Sequence, residues 1–204
     1  VLLGSRPAMG KGLFAINIMN YLMLTKNIPC LYYSLQRTKE SFCERLFNIG
    51  GDKIYKRVTD TGGPVLYVED SSQMTVEKIY ANARMHKKKH DIGFIIIDYK
   101  QLLSLDCIED FDLDYIKRRR FVFTEIAMQL KELALELDVP VLVLSTLSRS
   151  LEYRDNKRPV KEDIKVRDYG LMEEYIDLMM FLYRDDYYNR DMDSKHNNTE
   201  VIVA

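Results

Sequence analysis

The sequence predicts an α/β fold in which a mostly parallel central sheet carries helices on both faces. Two observations carry that expectation. The apolar runs that read as strands lack polar alternation, as strands buried on both faces do. Amphipathic segments of helical period separate those runs, the order that builds parallel sheets.

Taken in order, Val1-Leu2-Leu3 reads as the end of a buried strand that runs into a glycine-punctuated loop at 4–10. Leu13, Ile16, Asn17, Met19, Asn20 and Met23 then recur at helical spacing, giving a helix with one largely apolar face. Cys30–Leu35 is a short β-prone run, after which Thr38 caps a helix through Phe47 with Glu40 near its positive end. Val65–Val68 reads as a strand, and Thr75 caps a helix over Val76–His90. Gly93–Asp98 is an apolar strand ending in a carboxylate. A long helix follows, with Ile126, Leu130, Leu133, Ala134 and Leu137 on one face. Pro140–Ser145 is another apolar strand, and Asp177–Leu182 and Glu200–Ala204 read as two more.

At 204 residues the chain fits one domain, with no repeat or low-complexity linker. It opens in mid-strand and closes on Val201-Ile202-Val203-Ala204, so it is expected to be a fragment, with residues possible between Leu46 and Val65 that the sequence omits. With 47% hydrophobic and 30% charged residues it reads as a soluble globular protein. No apolar run is long enough to cross a bilayer and no secretory signal pattern opens the chain, which makes a cytoplasmic setting the expectation. Cys30, Cys43 and Cys107 suit neither a disulfide framework nor a zinc site. His86 and His90 form an i, i+4 pair, but without an acid or cysteine partner in view they do not read as a metal site. A net charge of −1 rules out a uniformly basic nucleic-acid binder and leaves room for local basic loops.

In such a sheet ligands bind at the carboxyl ends of the strands, and three chemically loaded segments fall there, at 5–12, 34–38 and 98–101. Ser5-Arg6-Pro7-Ala8-Met9-Gly10-Lys11-Gly12 sits between a strand and a helix, where a phosphate-binding loop belongs. The chemistry asks for backbone amides at a helix start, a glycine that lets the backbone approach, and a lysine reaching the β- and γ-phosphates. Gly10 and Lys11 meet the last two demands. Ser5 stands at the first glycine position, and Gly12 stands where a Mg2+-binding hydroxyl is usual. The plain alternative is a strand–helix turn that binds nothing. Ile95-Ile96-Ile97-Asp98 delivers one carboxylate from a buried strand, positioned to hold Mg2+ through water. Its alternative is an aspartate that merely ends a strand. Together the two segments point to a P-loop NTPase.

Six segments in order then resemble one family, the C-terminal RecA-like ATPase domain of DnaB-type replicative DNA helicases. Arg6-Pro7-Ala8-Met9-Gly10-Lys11 is similar to the family's RPSMGKT, Ser34-Leu35-Gln36 to SLE, and Asp98-Tyr99-Lys100-Gln101-Leu102 to DYLQL. Leu144-Ser145-Thr146-Leu147-Ser148-Arg149-Ser150 resembles LSQLSRS, and Lys157-Arg158-Pro159 and Phe181–Tyr188 complete the set. The resemblance implies a homo-hexameric ring that binds ATP and Mg2+ and translocates on single-stranded DNA, with a primase or a helicase loader as partner. It implies catalytic roles for Lys11 and Asp98, and for Gln36 and Thr146 where the family has glutamate and glutamine. Two channel loops near 104–119 and 150–171 would offer Arg118, Arg119, Arg120, Lys161, Lys165 and Arg167 to DNA phosphates, although the arginine run also suits a solvated helix face.

The departures fall on the chemistry. Gln36 can hold a water molecule but cannot take its proton, and loss of a general base costs about 10²–10⁴ in rate. Gly12 removes a metal ligand, and Lys165–Leu171 departs from the family's RESGS. The expectation is a motor domain with impaired hydrolysis. The alternatives are a helicase-like assembly subunit and a recombinase-like or loader ATPase; the stretch 183–188 speaks against the last.

Overall fold

The computed structural model describes residues 1–49, 66–71, 74–98, 115–165, 172–188 and 198–204, the side chains of 115–120, 165, 172 and 173 excepted. The strands are β1 Leu2–Ser5, β2 Cys30–Ser34, β3 Leu66–Glu69, β4 Phe94–Asp98, β5 Val141–Thr146, β6 Met179–Tyr183 and β7 Glu200–Val203. They form one sheet in the order β3-β2-β4-β5-β1-β6-β7. Every neighbouring pair is parallel except β6 with β7. Among the described residues four longer helices flank it: α1 Lys11–Lys26, α2 Lys39–Asn48, α3 Val76–His90 and α4 Tyr115–Leu137.

Period-2 alternation along each strand divides the core into two layers. Leu3, Tyr32, Ile96, Leu142 and Leu144 pack with Ile16, Met19 and Met23 of α1 and Phe42 and Leu46 of α2. Leu31, Tyr33, Ile95, Ile97, Val141 and Val143 face the other way, onto Val76, Ile79 and Ala83 of α3 and Ile126, Leu130 and Leu133 of α4. That double burial is why the strand sequences show no polar alternation. β7 is the exception: it lies at the sheet edge and alternates half-buried with exposed residues.

The caps read from the sequence are made. Thr38 accepts from the Ser41 amide and Thr75 from the Lys78 amide, and each helix has a glutamate (Glu40, Glu77) in its first turn. Three details differ from the sequence reading. Ser5 and Gly4 belong to β1, because the pairs Gly4↔Ser145 and Ser5↔Thr146 carry the ladder into the segment expected to be loop. Leu13 is 40% exposed, since the buried stripe of α1 runs through Ala15, Ile16, Met19 and Met23 and leaves residue 13 on its flank. The strand expected at 177–182 starts at Met179 instead, with Asp177 outside it and ion-paired to Lys131 of α4. Among the described residues no helix is long and apolar enough to cross a membrane.

Candidate functional site

The carboxyl ends of β1, β2, β4 and β5 lie at one edge of the sheet, because those strands are parallel. The turn from β1 into α1 places Ala8 at φ 64 and Gly10 at φ 88. Left-handed residues in a tight turn rotate successive amides toward one side, the backbone form that cradles anions. Gly10 is the N-cap of α1; no side chain caps it and no acid stands in the first turn. α2 and α3 have both. Among the described residues the start of α1 thus lacks the side-chain cap and first-turn acid that would offset its positive end, which favours an anion there.

Lys11 is the first residue of α1, and its amine donates to the Ser145 carbonyl and to Thr146 Oγ1, both at 2.9 Å. Burial lowers its pKa to about 8, opposed by the charge of Asp98 and reinforced by that of Arg6. Lysine and aspartate therefore act on one another across the same opening. Thr146, read as a loss from the family pattern, has a concrete contact: it holds the amine.

Asp98 ends β4, whose Ile95, Ile96 and Ile97 are fully buried. Burial of each contributes about 1.5–3 kcal/mol relative to exposure, enough to fix the strand that delivers the carboxylate. Asp98 and Ile96 lie on the α1/α2 face, and so does Tyr32, whose hydroxyl donates to Asp98 Oδ2 at 2.7 Å. Burial, then Asp98, raise the Tyr32 pKa well above its ordinary value, while Arg45 and Arg37 oppose. The Asp98 carbonyl accepts from the Leu35 amide at 2.7 Å, and the Ser34 hydroxyl donates to the Arg37 carbonyl at 2.8 Å. These bonds shape the turn on which Gln36 stands exposed beside the site.

Arg6 is 7% exposed, and its guanidinium is spent on protein: Nε and one terminal nitrogen on Glu152, the other on the Leu147 carbonyl at 2.7 Å. It supports the loop from behind and ties it to the segment after β5. Ser5 is fully buried and donates to the Arg6 carbonyl, Met9 lies in the core, and Pro7 and Ala8 are exposed at the tip. Gly12 faces the end of Arg45: a methyl group built there would lie 3.3 Å from a guanidinium nitrogen. For Mg2+ the residues fit at one position and not at the other. Asp98 is present, and Gly12 offers no oxygen beyond its backbone.

Of the residues expected to meet DNA, Arg118, Arg119 and Arg120 fall in α4 with their side chains outside the described residues. Lys161 is exposed, Lys165 ends the one-turn helix Glu162–Lys165, and Arg167 lies outside the described residues. The neighbouring segment is held in place. Arg154 donates to Asp163 at 2.8 Å, and Arg158 pairs with Glu200 and lies 5.2 Å from the Tyr183 ring centroid. His86 and His90 pack on Tyr67, and His86 Nε2 lies 3.5 Å from Glu69, a neighbour that sequence spacing does not show. A separate apolar cavity of about 170 Å³, lined by Leu2, Ile126, Leu130, Pro140, Val141 and Tyr175, sits at the amino ends of the strands, away from this chemistry.

Sequence reasoning missed Tyr32, Arg6 as a clamp, and Arg45. A buried tyrosine needs a partner for its hydroxyl, so Tyr32, two residues before Ser34 in a buried strand, was a readable signal. Arg45 had none.

A family model described as the DnaB-like helicase C terminal domain matches residues 1–204. The chain is 34% identical to the replicative DNA helicase DnaB of Geobacillus stearothermophilus over 221 aligned residues, covering 100% of this chain and 47% of that protein. It is 34% identical to DnaB of Pasteurella multocida, covering 46% of it. The chain thus spans about half the length of the curated relatives it matches. Among solved structures it is similar to one described as an ATPase domain, with TM-score 0.81, 31% identity, and 100% of this chain and 75% of that one covered. It is also similar to a DnaB-like replicative helicase described with its interactions with primase, with TM-score 0.82, 29% identity, and 100% and 51% covered. A KaiC-like protein of Pyrococcus horikoshii, at 14% identity and TM-score 0.63 over 99% of this chain and 76% of that one, shares the fold.

Proposed function

The chain belongs to the DnaB-like helicase C-terminal domain family, and from that premise we propose that it is the ATP-binding motor of a replicative DNA helicase whose hydrolytic step is weakened. The observation that carries the reading is the uncapped start of α1, with Lys11 held by Thr146 and coupled to Asp98. The loop amides at 8–12 and the lysine amine bind the phosphates. Asp98 would hold Mg2+ through water, and the ion would there offset phosphate charge. Gln36 holds the attacking water by hydrogen bonds without taking its proton. In the whole protein the domain works as a homo-hexamer on single-stranded DNA, with Arg118, Arg119, Arg120, Lys161, Lys165 and Arg167 meeting phosphates and a primase or loader as partner.

Gly12 and Gln36 favour a second reading, a ring subunit that binds nucleotide without turning it over. ATP turnover by the full-length protein, with and without single-stranded DNA, separates the two. The weakened motor turns over slowly, gains from DNA, and loses that turnover in Lys11→Ala. Binding without any turnover would establish the assembly subunit, and turnover at a rate typical of active motors, about 1–10³ per second, would refute both.

A further inference from the structure

Tyr32 and Asp98 lie on neighbouring parallel strands, with Tyr32 opposite Ile96 and Ser34 opposite Asp98. Residues two apart on a strand share a face, so Tyr32 sits one step back from Asp98 on the same side of the sheet. That step is about 6.6 Å, within reach of a tyrosine, and the hydroxyl donates to Asp98 Oδ2 at 2.7 Å. The ring is buried and packs on Phe42 of α2 with centroids 4.4 Å apart, so packing aims the hydroxyl. Burial, helped by the carboxylate itself, keeps the phenol proton in place, and the group stays a donor at physiological pH. The oxygen is not there for packing: Leu3, Ile96, Leu142 and Leu144 of the same layer are aliphatic. A buried hydroxyl costs stability unless it is bonded, and here its bond goes to the carboxylate at the site. Asp98 Oδ1 receives no hydrogen bond among the described residues. Carboxylates that serve a metal are commonly steadied in this way, by a donor on one oxygen.

We propose that Tyr32 is a positioning residue for Mg2+: its hydroxyl fixes one oxygen of Asp98, so that the other is set to receive the water shell of an ion that enters with nucleotide. Tyr32 acts through Asp98, and its role rests on the loop being a nucleotide site with Asp98 as its metal residue, as proposed above. With Gly12 offering no side-chain oxygen, the hold on Mg2+ depends the more on how firmly that one carboxylate is set.

Calorimetric titration of the full-length protein with ADP, over a series of Mg2+ concentrations and in EDTA, tests it. The series gives the Mg2+ midpoint for tight binding, and EDTA gives the metal-free affinity. Tyr32→Phe removes one oxygen and keeps the ring. It raises the Mg2+ midpoint about tenfold and leaves the affinity in EDTA within about twofold of wild type. In an Asp98→Ala background the same substitution adds no further shift, because the carboxylate through which it acts is gone. Tyr32→Leu also lacks the hydroxyl but loosens the packing on Phe42; it moves the midpoint as far as Tyr32→Phe, at a lower melting temperature. A midpoint unchanged or lowered in Tyr32→Phe overturns the inference. So does an equal shift in the Asp98→Ala background, a shift in Tyr32→Leu alone, or a wild type whose ADP affinity ignores Mg2+. ADP bound equally well by Lys11→Ala, or not bound by wild type in either buffer, overturns the nucleotide site itself. Thermal melts of each variant separate lost binding from lost folding.

Discussion

Lys11 holds a proton that its surroundings resist. Burial brings its amine down to about pH 8, with Asp98 pulling upward and Arg6 downward. Phosphates in the cradle would restore the charged form, so the bound state keeps a proton that the free state gives up above that value. Nucleotide affinity is then fully present below about pH 8 and falls as pH rises through it, by up to about tenfold per unit. ADP titrations from about pH 7 to about pH 9.5 check this, and a flat profile would mean the lysine does not meet the phosphates. The contacts that set this behaviour were unevenly legible. Lys11 and Asp98 announce themselves by residue type and by their places, one at the start of a helix and the other at the end of a strand. Thr146 reads as a deficit until β1 pairs with β5 and brings it beside Ser5. Arg45 was not legible at all, because what it touches depends on how α2 leans on α1, and no spacing along one helix encodes that.

Between elements, two arginine–glutamate pairs of like chemistry should differ in consequence. Arg6–Glu152 ties the turn after β1 to the segment after β5, with side chains 8% and 37% exposed. Arg84–Glu136 joins α3 to α4, with side chains 55% and 41% exposed. Solvent screens the second, so Arg84→Ala is expected to leave the melting temperature unchanged within error. Arg6→Met leaves a partly buried glutamate and the Leu147 carbonyl without a donor, and should cost about 2 kcal/mol, below a fully buried pair because Glu152 is partly wet. A chemical-denaturation double-mutant cycle on each pair measures both, and equal coupling energies would contradict the burial argument. The elements themselves were legible wherever local physics decides: unalternating apolar runs became strands, and Thr38 and Thr75 became caps. Strand ends were less so. Ser5 joined β1 because of its partner strand, which local composition does not contain.

For the whole molecule, net charge −1 gives no general attraction to DNA, so any such affinity must be local and salt-sensitive. Arg118, Arg119 and Arg120 lie within α4, Tyr115–Leu137. Alanine has the highest helix propensity, so replacing all three should leave the fold as stable or more so, while single-stranded DNA binding weakens and its logarithmic salt slope shrinks by about 2. Unchanged binding would make the run a solvated face. The sheet order has a last consequence, and it concerns birth rather than work. In the sheet β1 pairs with β5 and β6, so Leu2 waits for Val143 and Met179 before it has a hydrogen-bonded neighbour on either side. During synthesis the strand that leads into the turn at 6–10 emerges before the rest of the sheet and lies unmated until most of the domain has been translated.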